Sequence, residues 1–258
     1  MQAREGARYL FLFAHPDDDA FIVGSMRMLL DQGVDVYGVW ATSGGLLGGS
    51  KTRESELAAA MTVLGLDESR RFLLRMPDLG LIANLAEAAD AVTKVVEEVR
   101  PTTVVATAFE GGHPDHDCVN FLAYEGCSRV GITPEMMEFP LYNGSGRVIH
   151  WRWKVNSFPD GKRVANNTPL TDSALDCKYR ILRTYSTQWL YMFPLRLASP
   201  RSKMKSSGEP CRRSPGDRDH TMPPHPGKLN YERWFNSFMK ISFKDYADAV
   251  RSARRSMR

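Results

Sequence analysis

Tyr9-Leu10-Phe11-Leu12-Phe13-Ala14 runs directly into His15-Pro16-Asp17-Asp18-Asp19, and Val104-Val105-Ala106 is followed shortly by His113-Pro114-Asp115-His116. A short unbroken apolar run bounded by polar turn residues reads as a parallel strand buried on both faces. Each run empties into a loop of His and Asp, and ligands of open α/β sheets sit beyond the carboxyl ends of the strands. Two such loops on neighbouring strands can share one ion, which points to a metal hydrolase.

Outward from these loops the pattern alternates between strand and helix. Residues 21–30 have helical spacing and stop near Gly33, and residues 34–41 form a second apolar run. A glycine-rich turn over 43–49 leads to Ser50 or Thr52, either of which can cap a helix ending at Leu64 with Gly65 as its stop. Residues 72–76 give a third strand. Residues 84–100 place Leu85, Ala88, Ala89, Val92, Val95, Val96 and Val99 on one helical face, ended by Pro101. Val104 opens the next strand and residues 118–130 the next helix. This alternation predicts a Rossmann-like α/β fold over 1–133, a mostly parallel sheet with helices on both faces.

From Met136 the pattern changes. Residues 136–142 and 148–155, separated by Asn143-Gly144-Ser145-Gly146, predict an antiparallel hairpin, and residues 173–184 a helix, together an elaboration over 134–195. Residues 196–226, rich in Ser, Pro, Arg and Lys, read as an irregular basic loop. Residues 227–258 read as a C-terminal helix and tail, with Trp234, Phe235 and Phe238 available to dock on the core. The chain is expected to form one domain with this C-terminal elaboration.

With 43% hydrophobic and 25% charged residues the composition is that of an ordinary globular protein. The net charge of +4 comes from late clusters, Arg201, Lys203, Lys205, Arg212 and Arg213, then Arg251, Arg254, Arg255 and Arg258. Such clusters can touch nucleic acid or anionic lipid. A solvated loop and a frayed tail explain them more simply, and no nucleic-acid partner is expected. No apolar run approaches the ~20 residues of a membrane helix. Residues 9–14 are too short for a secretory signal, and cleavage behind them would remove the His15 loop, so a cytoplasmic or peripheral protein without a transmembrane segment is expected. Cys118, Cys127, Cys177 and Cys211 form no Cys-x-x-Cys pair, which argues against a disulfide framework or a zinc knuckle.

In His15-x-x-Asp18 the proline stiffens the loop, so both side chains can turn to one side. Adding His116 gives two imidazoles and one carboxylate. This set suits catalytic zinc with open positions, and also ferrous iron (Fe2+). Zinc (Zn2+) is preferred because no other redox apparatus is visible. Asp17, beside a ligand, suits a general base for a metal-activated water. His113, one turn before His116, suits an imidazolium that stabilises an oxyanion or protonates a leaving amine. Asp115 or Asp117 can orient an imidazole through its second nitrogen. The structural alternative is that these acids merely cap helices. It weakens once both loops are taken together, because they hold three of the six histidines.

In these residues the chain resembles the LmbE-like, or PIG-L-like, zinc-dependent de-N-acetylases. The family signatures Ala-His-Pro-Asp-Asp-Glu and His-Pro-Asp-His correspond to Ala14-His15-Pro16-Asp17-Asp18-Asp19 and His113-Pro114-Asp115-His116. Arg53-x-x-Glu56-x-x-x-Ala60-x-x-x-Leu64-Gly65 is similar to the family's helix after the second strand. Lys178 through Ser186 with Gln188, and Pro223-Pro224-His225-Pro226-Gly227 with Tyr231-Glu232, are similar to later segments. The resemblance implies His15, Asp18 and His116 as zinc ligands, Asp17 as general base, His113 as the charge-stabilising or acid residue, and Arg53 as a substrate contact. It also implies hydrolysis of an N-acetyl group, typically on glucosamine within a thiol precursor, glycolipid, antibiotic or oligosaccharide.

Two departures stand out. Asp19 replaces the usual Glu, and Phe109-Glu110-Gly111-Gly112 lacks the Tyr that assists the oxyanion in some members, leaving that role to His113, Tyr142 or His225. His225, held between prolines, is a second substrate-binding candidate. Gly44-Gly45 and Gly48-Gly49 can admit a substrate or simply turn the chain. Trp151, Trp153 and Trp189 suit either a sugar-stacking wall or packing, while His150 reads as structural. The expected partner is a small amino-sugar conjugate, and a homo-oligomer is compatible with the sequence. The nearest alternative is an amidase of the same mechanism acting on a non-acetyl or non-sugar amide. A silent binding module that kept the metal is argued against by intact Asp17 and His113.

Overall fold

In the computed structural model, which describes residues 1, 4–46, 49–145, 154–160, 168–198, 200–234 and 240–255, the apolar runs become strands. β1 (Arg8–Phe13), β2 (Asp35–Thr42), β3 (Arg71–Met76), β4 (Thr103–Thr107) and β5 (Glu135–Phe139) are parallel. β6 (Tyr142–Asn143) pairs antiparallel with β7 (Lys154–Val155), and β8 (Arg212–Arg213) adds antiparallel to β5. The six-stranded sheet has the order β3-β2-β1-β4-β5-β8. The chain runs from β1 towards β3 on one side and from β4 towards β5 on the other. A crevice therefore opens where the loops after β1 and β4 diverge, the position at which such sheets bind ligands. The register Tyr9↔Thr103 to Leu12↔Ala106 sets the ends of these two strands side by side.

Helices cover both faces. α1 (Val23–Asp31), α2 (Ser50–Leu64) and α5 (Asp172–Thr184) pack together on one face. α3 (Leu85–Val99), α4 (Pro114–Val130) and the last helix pack on the other. The apolar face expected of α3 is the one it buries, and each Val or Leu so buried contributes ~1.5–3 kcal/mol. Arg100 ends α3 in a left-handed conformation, φ 48°, before Pro101. Gly65 ends α2 in the same way, φ 82°, while Gly49, not Ser50 or Thr52, occupies its N-cap.

Two expectations are corrected. The break at 133 is misplaced, because β5 continues the parallel sheet and only β6 and β7 form the small hairpin. Residues 146–153, the greater part of its expected second strand with His150, Trp151 and Trp153, lie outside the described residues. The irregular loop expected over 196–226 contains ordered elements: α6 (Trp189–Ala198) ends inside it, α7 (Arg201–Ser207) follows, and β8 completes the sheet edge. Buried charges hold this segment where apolar residues are few. Glu209 pairs with Lys178 at 2.6 Å, and Glu138 receives Arg212 at 2.8 Å and Arg218 at 2.7 Å. Met204 and Cys211 are also buried. At the C-terminal end, α8 (Asn230–Trp234) and α9 (Phe243–Arg255) dock through Tyr231, Tyr246, Val250 and Ala253. Phe235 and Phe238 lie outside the described residues. Among the described residues, no helix is long and apolar enough to cross a membrane.

Candidate metal centre

The β1 loop turns sharply at Asp17, whose φ of 114° is unusual for a residue other than glycine. This turn lets the Asp18 carboxylate fold back over its own loop. Its Oδ2 accepts the backbone N–H groups of Ala14 at 3.0 Å and His15 at 2.8 Å. The same carboxylate lies between two imidazoles, with Oδ2 3.5 Å from His15 Nδ1 and Oδ1 3.3 Å from His116 Nε2.

The second signature opens α4 instead of preceding it. Pro114 takes a first-turn position, where its missing N–H costs nothing, and His113 is the N-cap, its Nδ1 accepting the Asp115 N–H at 3.2 Å. His113 and His116 thereby project from one helical turn. Ring centroids lie 4.7 Å apart for His15 and His113, 5.2 Å for His15 and His116, and 4.9 Å for His113 and His116. All three imidazoles are buried, and each offers a nitrogen within 4.8 Å of the others.

Of the two candidate orienting acids, Asp115 faces an imidazole. Its Oδ2 is 3.3 Å from His15 Nε2, and it also accepts the N–H groups of Leu79 and Leu81. Asp117 instead accepts the N–H groups of Glu110 and Gly111 and shapes the loop before His113. Asp78, just past β3, was not foreseen; its Oδ1 lies 3.2 Å from His15 Nε2. The available signal was an acid at the carboxyl end of a third parallel strand. His15, Asp78, His113 and Asp115 thus form a second donor group that overlaps the first.

The donors suit a cation on this structure's own terms. Three buried imidazoles converge with a nitrogen of each within 4.8 Å of the others, a concentration of lone pairs that a cation would satisfy. Two imidazoles sharing a carboxylate is a donor set for zinc or ferrous iron.

The electrostatics divide the carboxylates into two kinds. Burial opposes charge on Asp18, but His116 and His15 outweigh it and hold the carboxyl well below its usual range. Burial dominates at Asp17 and raises its carboxyl to about 7, despite the Arg53 guanidinium at 3.0 Å. Burial also disfavours charge on His15, yet Asp115, Asp18 and Asp78 raise its imidazole well above the ordinary value. Burial and the neighbouring His15 and His116 push His113 well below its ordinary value. With Nδ1 accepting a backbone N–H, Nε2 carries the ring proton when His113 is neutral.

Arg53 is 2% exposed, donates to the Pro16 carbonyl and pairs with Asp17, which braces the loop, while its Nε and Nη1 have no hydrogen-bond partner among the described residues. Asp19 accepts the Tyr185 hydroxyl at 2.6 Å and the Asp17 N–H at 3.2 Å, which gives the shorter acid a fixed place behind the loop. Tyr142 packs its ring edge against His116 with centroids 5.3 Å apart. His225 lies beside the preceding loop, where a Cβ on Gly111 would come 3.3 Å from its Nε2. Glu110, also missed, is fully buried and accepts the N–H groups of Leu141 and Tyr142 and the Asn143 amide, joining the His113 loop to β6. At Gly112 a Cβ would lie 1.8 Å from the Tyr142 carbonyl oxygen.

The family model for GlcNAc-PI de-N-acetylase, PIG-L, matches residues 10–127. A probable N-acetyl-α-D-glucosaminyl L-malate deacetylase of Bacillus cereus is 29% identical over 136 residues, 47% of this chain and 61% of the relative. A 1D-myo-inositol 2-acetamido-2-deoxy-α-D-glucopyranoside deacetylase of Rhodococcus erythropolis is 32% identical over 146 residues, 42% of this chain and 49% of the relative. The chain therefore spans about half to three-fifths of the length of these relatives. The zinc-inhibited form of teicoplanin deacetylase shares the fold, with a TM-score of 0.60 over 83% of this chain and all of that one, at 17% identity.

Proposed function

Because the chain carries a domain of the PIG-L (LmbE-like) family, we propose that it is a metal-dependent hydrolase that removes the N-acetyl group from an N-acetylglucosamine-type sugar or conjugate. The observation that carries this reading is the Asp18 carboxylate between His15 and His116, with Asp17 beside it on the same turn. The one-domain organisation belongs to the same proposal, with the α/β core extended to β5.

His15, Asp18 and His116 would hold the metal. When bound, zinc supplies Lewis acidity towards water and the amide carbonyl. Asp17, raised to about 7, has the basicity of a group that can take a proton from the attacking water near neutral pH. Arg53 fixes its carboxylate by ion pair and by holding the Pro16 carbonyl. The Nε2–H of His113 would donate a hydrogen bond to the tetrahedral oxyanion, and the proton that Asp17 takes from the water would pass to the departing amine. Tyr142 packs on His116 and would help to hold that imidazole in place.

The test is release of free amine by zinc-loaded protein from N-acetylglucosamine as free sugar, inositol-linked, malate-linked, lipid-linked and as chitobiose. Turnover of one member with stoichiometric acetate is expected. Silence across the panel together with amine release from a non-acetyl analogue would replace the reading with the amidase.

A further inference from the structure

α6 has the sequence WLYMFPLRLA. Met192 and Leu195 are buried and fix it to the core. Trp189, Leu190, Phe193 and Leu197 are 67%, 61%, 55% and 67% exposed. At 3.6 residues per turn these four positions fall within an arc of about 100°. A helix apolar on both faces belongs in a covered environment, and here one face has no cover among the described residues. A groove of about 240 Å³ runs beside it, lined by Leu182, Met192, Trp189 and Phe193, with Arg183 and Arg196 at its rim.

The charges around this face that lack an ion-pair partner among the described residues are basic. Arg180 and Arg183 are exposed on the neighbouring α5, Arg196 is exposed on α6 itself, and none has an acidic partner among the described residues. The nearby acids are engaged elsewhere, Asp176 with Arg201 at 2.8 Å and Asp172 with Lys205 at 2.8 Å. A second copy seated on this face by a two-fold axis would bring Arg183 and Arg196 against their counterparts, an unfavourable juxtaposition. A surface that is apolar below and anionic above satisfies both features. Large apolar side chains enter the acyl boundary while arginines remain at headgroup depth, the arrangement of an interfacial helix.

We propose that α6, with the arginines of α5, docks this protein on an anionic membrane surface. The chain remains on one side of the bilayer, since only the outward arc of one short helix enters it. Docking would also locate the metal centre. Tyr185, just before α6, donates to Asp19 of the β1 loop, and the adjacent Ser186 and Thr187 donate to Glu56. The helix that meets the membrane is thus fastened to the site's supporting side chains.

The experiment is flotation of the full chain with vesicles of phosphatidylcholine alone and of phosphatidylcholine mixed equally with phosphatidylglycerol. Binding to the anionic vesicles only, weakened by salt, is expected. Phe193→Glu should lower partitioning by about tenfold or more, and Arg183→Gln with Arg196→Gln by about tenfold. Leu190→Glu reads the same loss should Phe193→Glu not fold, as judged by its thermal midpoint. Absence of vesicle binding by folded wild-type protein would overturn the proposal, as would equal binding by the glutamate variants. A wild-type dimer in light scattering that Phe193→Glu dissociates, without vesicle binding, would assign the face to a second copy.

Discussion

Replacing Glu209 by Gln tests what orders the segment between α6 and α8. Glu209 Oε1 is 2.6 Å from Lys178 Nζ, and the carboxylate accepts three further hydrogen bonds, from Gly24 N at 3.1 Å, Ser25 N at 2.7 Å and Ser25 Oγ at 2.7 Å. Lys178 also donates to the carbonyls of Ala20 and Phe21, which close the 3-10 turn Asp18–Phe21 behind the metal loop. The two side chains are 1% and 0% exposed, so solvent neither screens the pair nor replaces a lost partner. Gln keeps the shape and removes the charge, leaving a buried ammonium uncompensated, at a cost of ~3–5 kcal/mol. With an m-value of about 3 kcal/mol/M in urea, the midpoint of the zinc-free protein should fall by roughly 1–1.7 M. Adding Lys178→Met removes the orphaned charge, so the double variant should lose less than the sum of the single losses by at least about 1 kcal/mol. A loss under about 1 kcal/mol for Glu209→Gln, or strict additivity, would refute the reasoning.

Gly112→Ala should destabilise the protein by roughly 3 kcal/mol or more, because its Cβ would meet the Tyr142 carbonyl oxygen at 1.8 Å. Gly216→Ala, with open space around it, should leave the thermal midpoint unchanged, and equal midpoints for the two variants would count against the close approach. Burial raises Glu110 from 4.5 to about 8. The native state therefore holds this proton more tightly than the unfolded chain does. That contribution is full below pH 4.5 and is lost as pH rises through the window to about 8, on the order of a few kcal/mol. Asp117, raised to about 7, acts in the same direction. The metal-free midpoint should accordingly fall between pH 5 and pH 8, and a midpoint that rose over this range would contradict the buried, protonated Glu110. His15→Ala, Asp18→Ala and His116→Ala should each lose zinc on equilibrium dialysis while Asp17→Asn retains it; zinc held stoichiometrically by His116→Ala would remove that ligand.

What was legible in the sequence was local and periodic. The apolar runs at Tyr9 and Val104 became the central strands, and their His/Asp tails met because β1 and β4 are neighbours. The face of α3 could be read from its 3.6-residue spacing. Pairings between distant polar groups leave no such trace. Nothing in the sequence near Lys178 announces Glu209, and Asp78 reaches His15 only because β3 ends at the same rim of the sheet. For the same reason residues 196–226 looked irregular, since their order rests on buried ions. Arg53 was legible as a site residue but not as Asp17's brace, because the fold alone decides which way a helix turns. The start of α4 at Pro114 was hidden because its N-cap is an imidazole, not one of the small polar side chains that usually mark a helix start.

The most direct measurement is acetate release from an N-acetylglucosamine conjugate by wild-type protein and Asp17→Asn at matched zinc occupancy. The predicted result is turnover by the wild type, and turnover lower by several orders of magnitude in the variant. Wild-type rates from the zinc-loaded Asp17→Asn protein would contradict it.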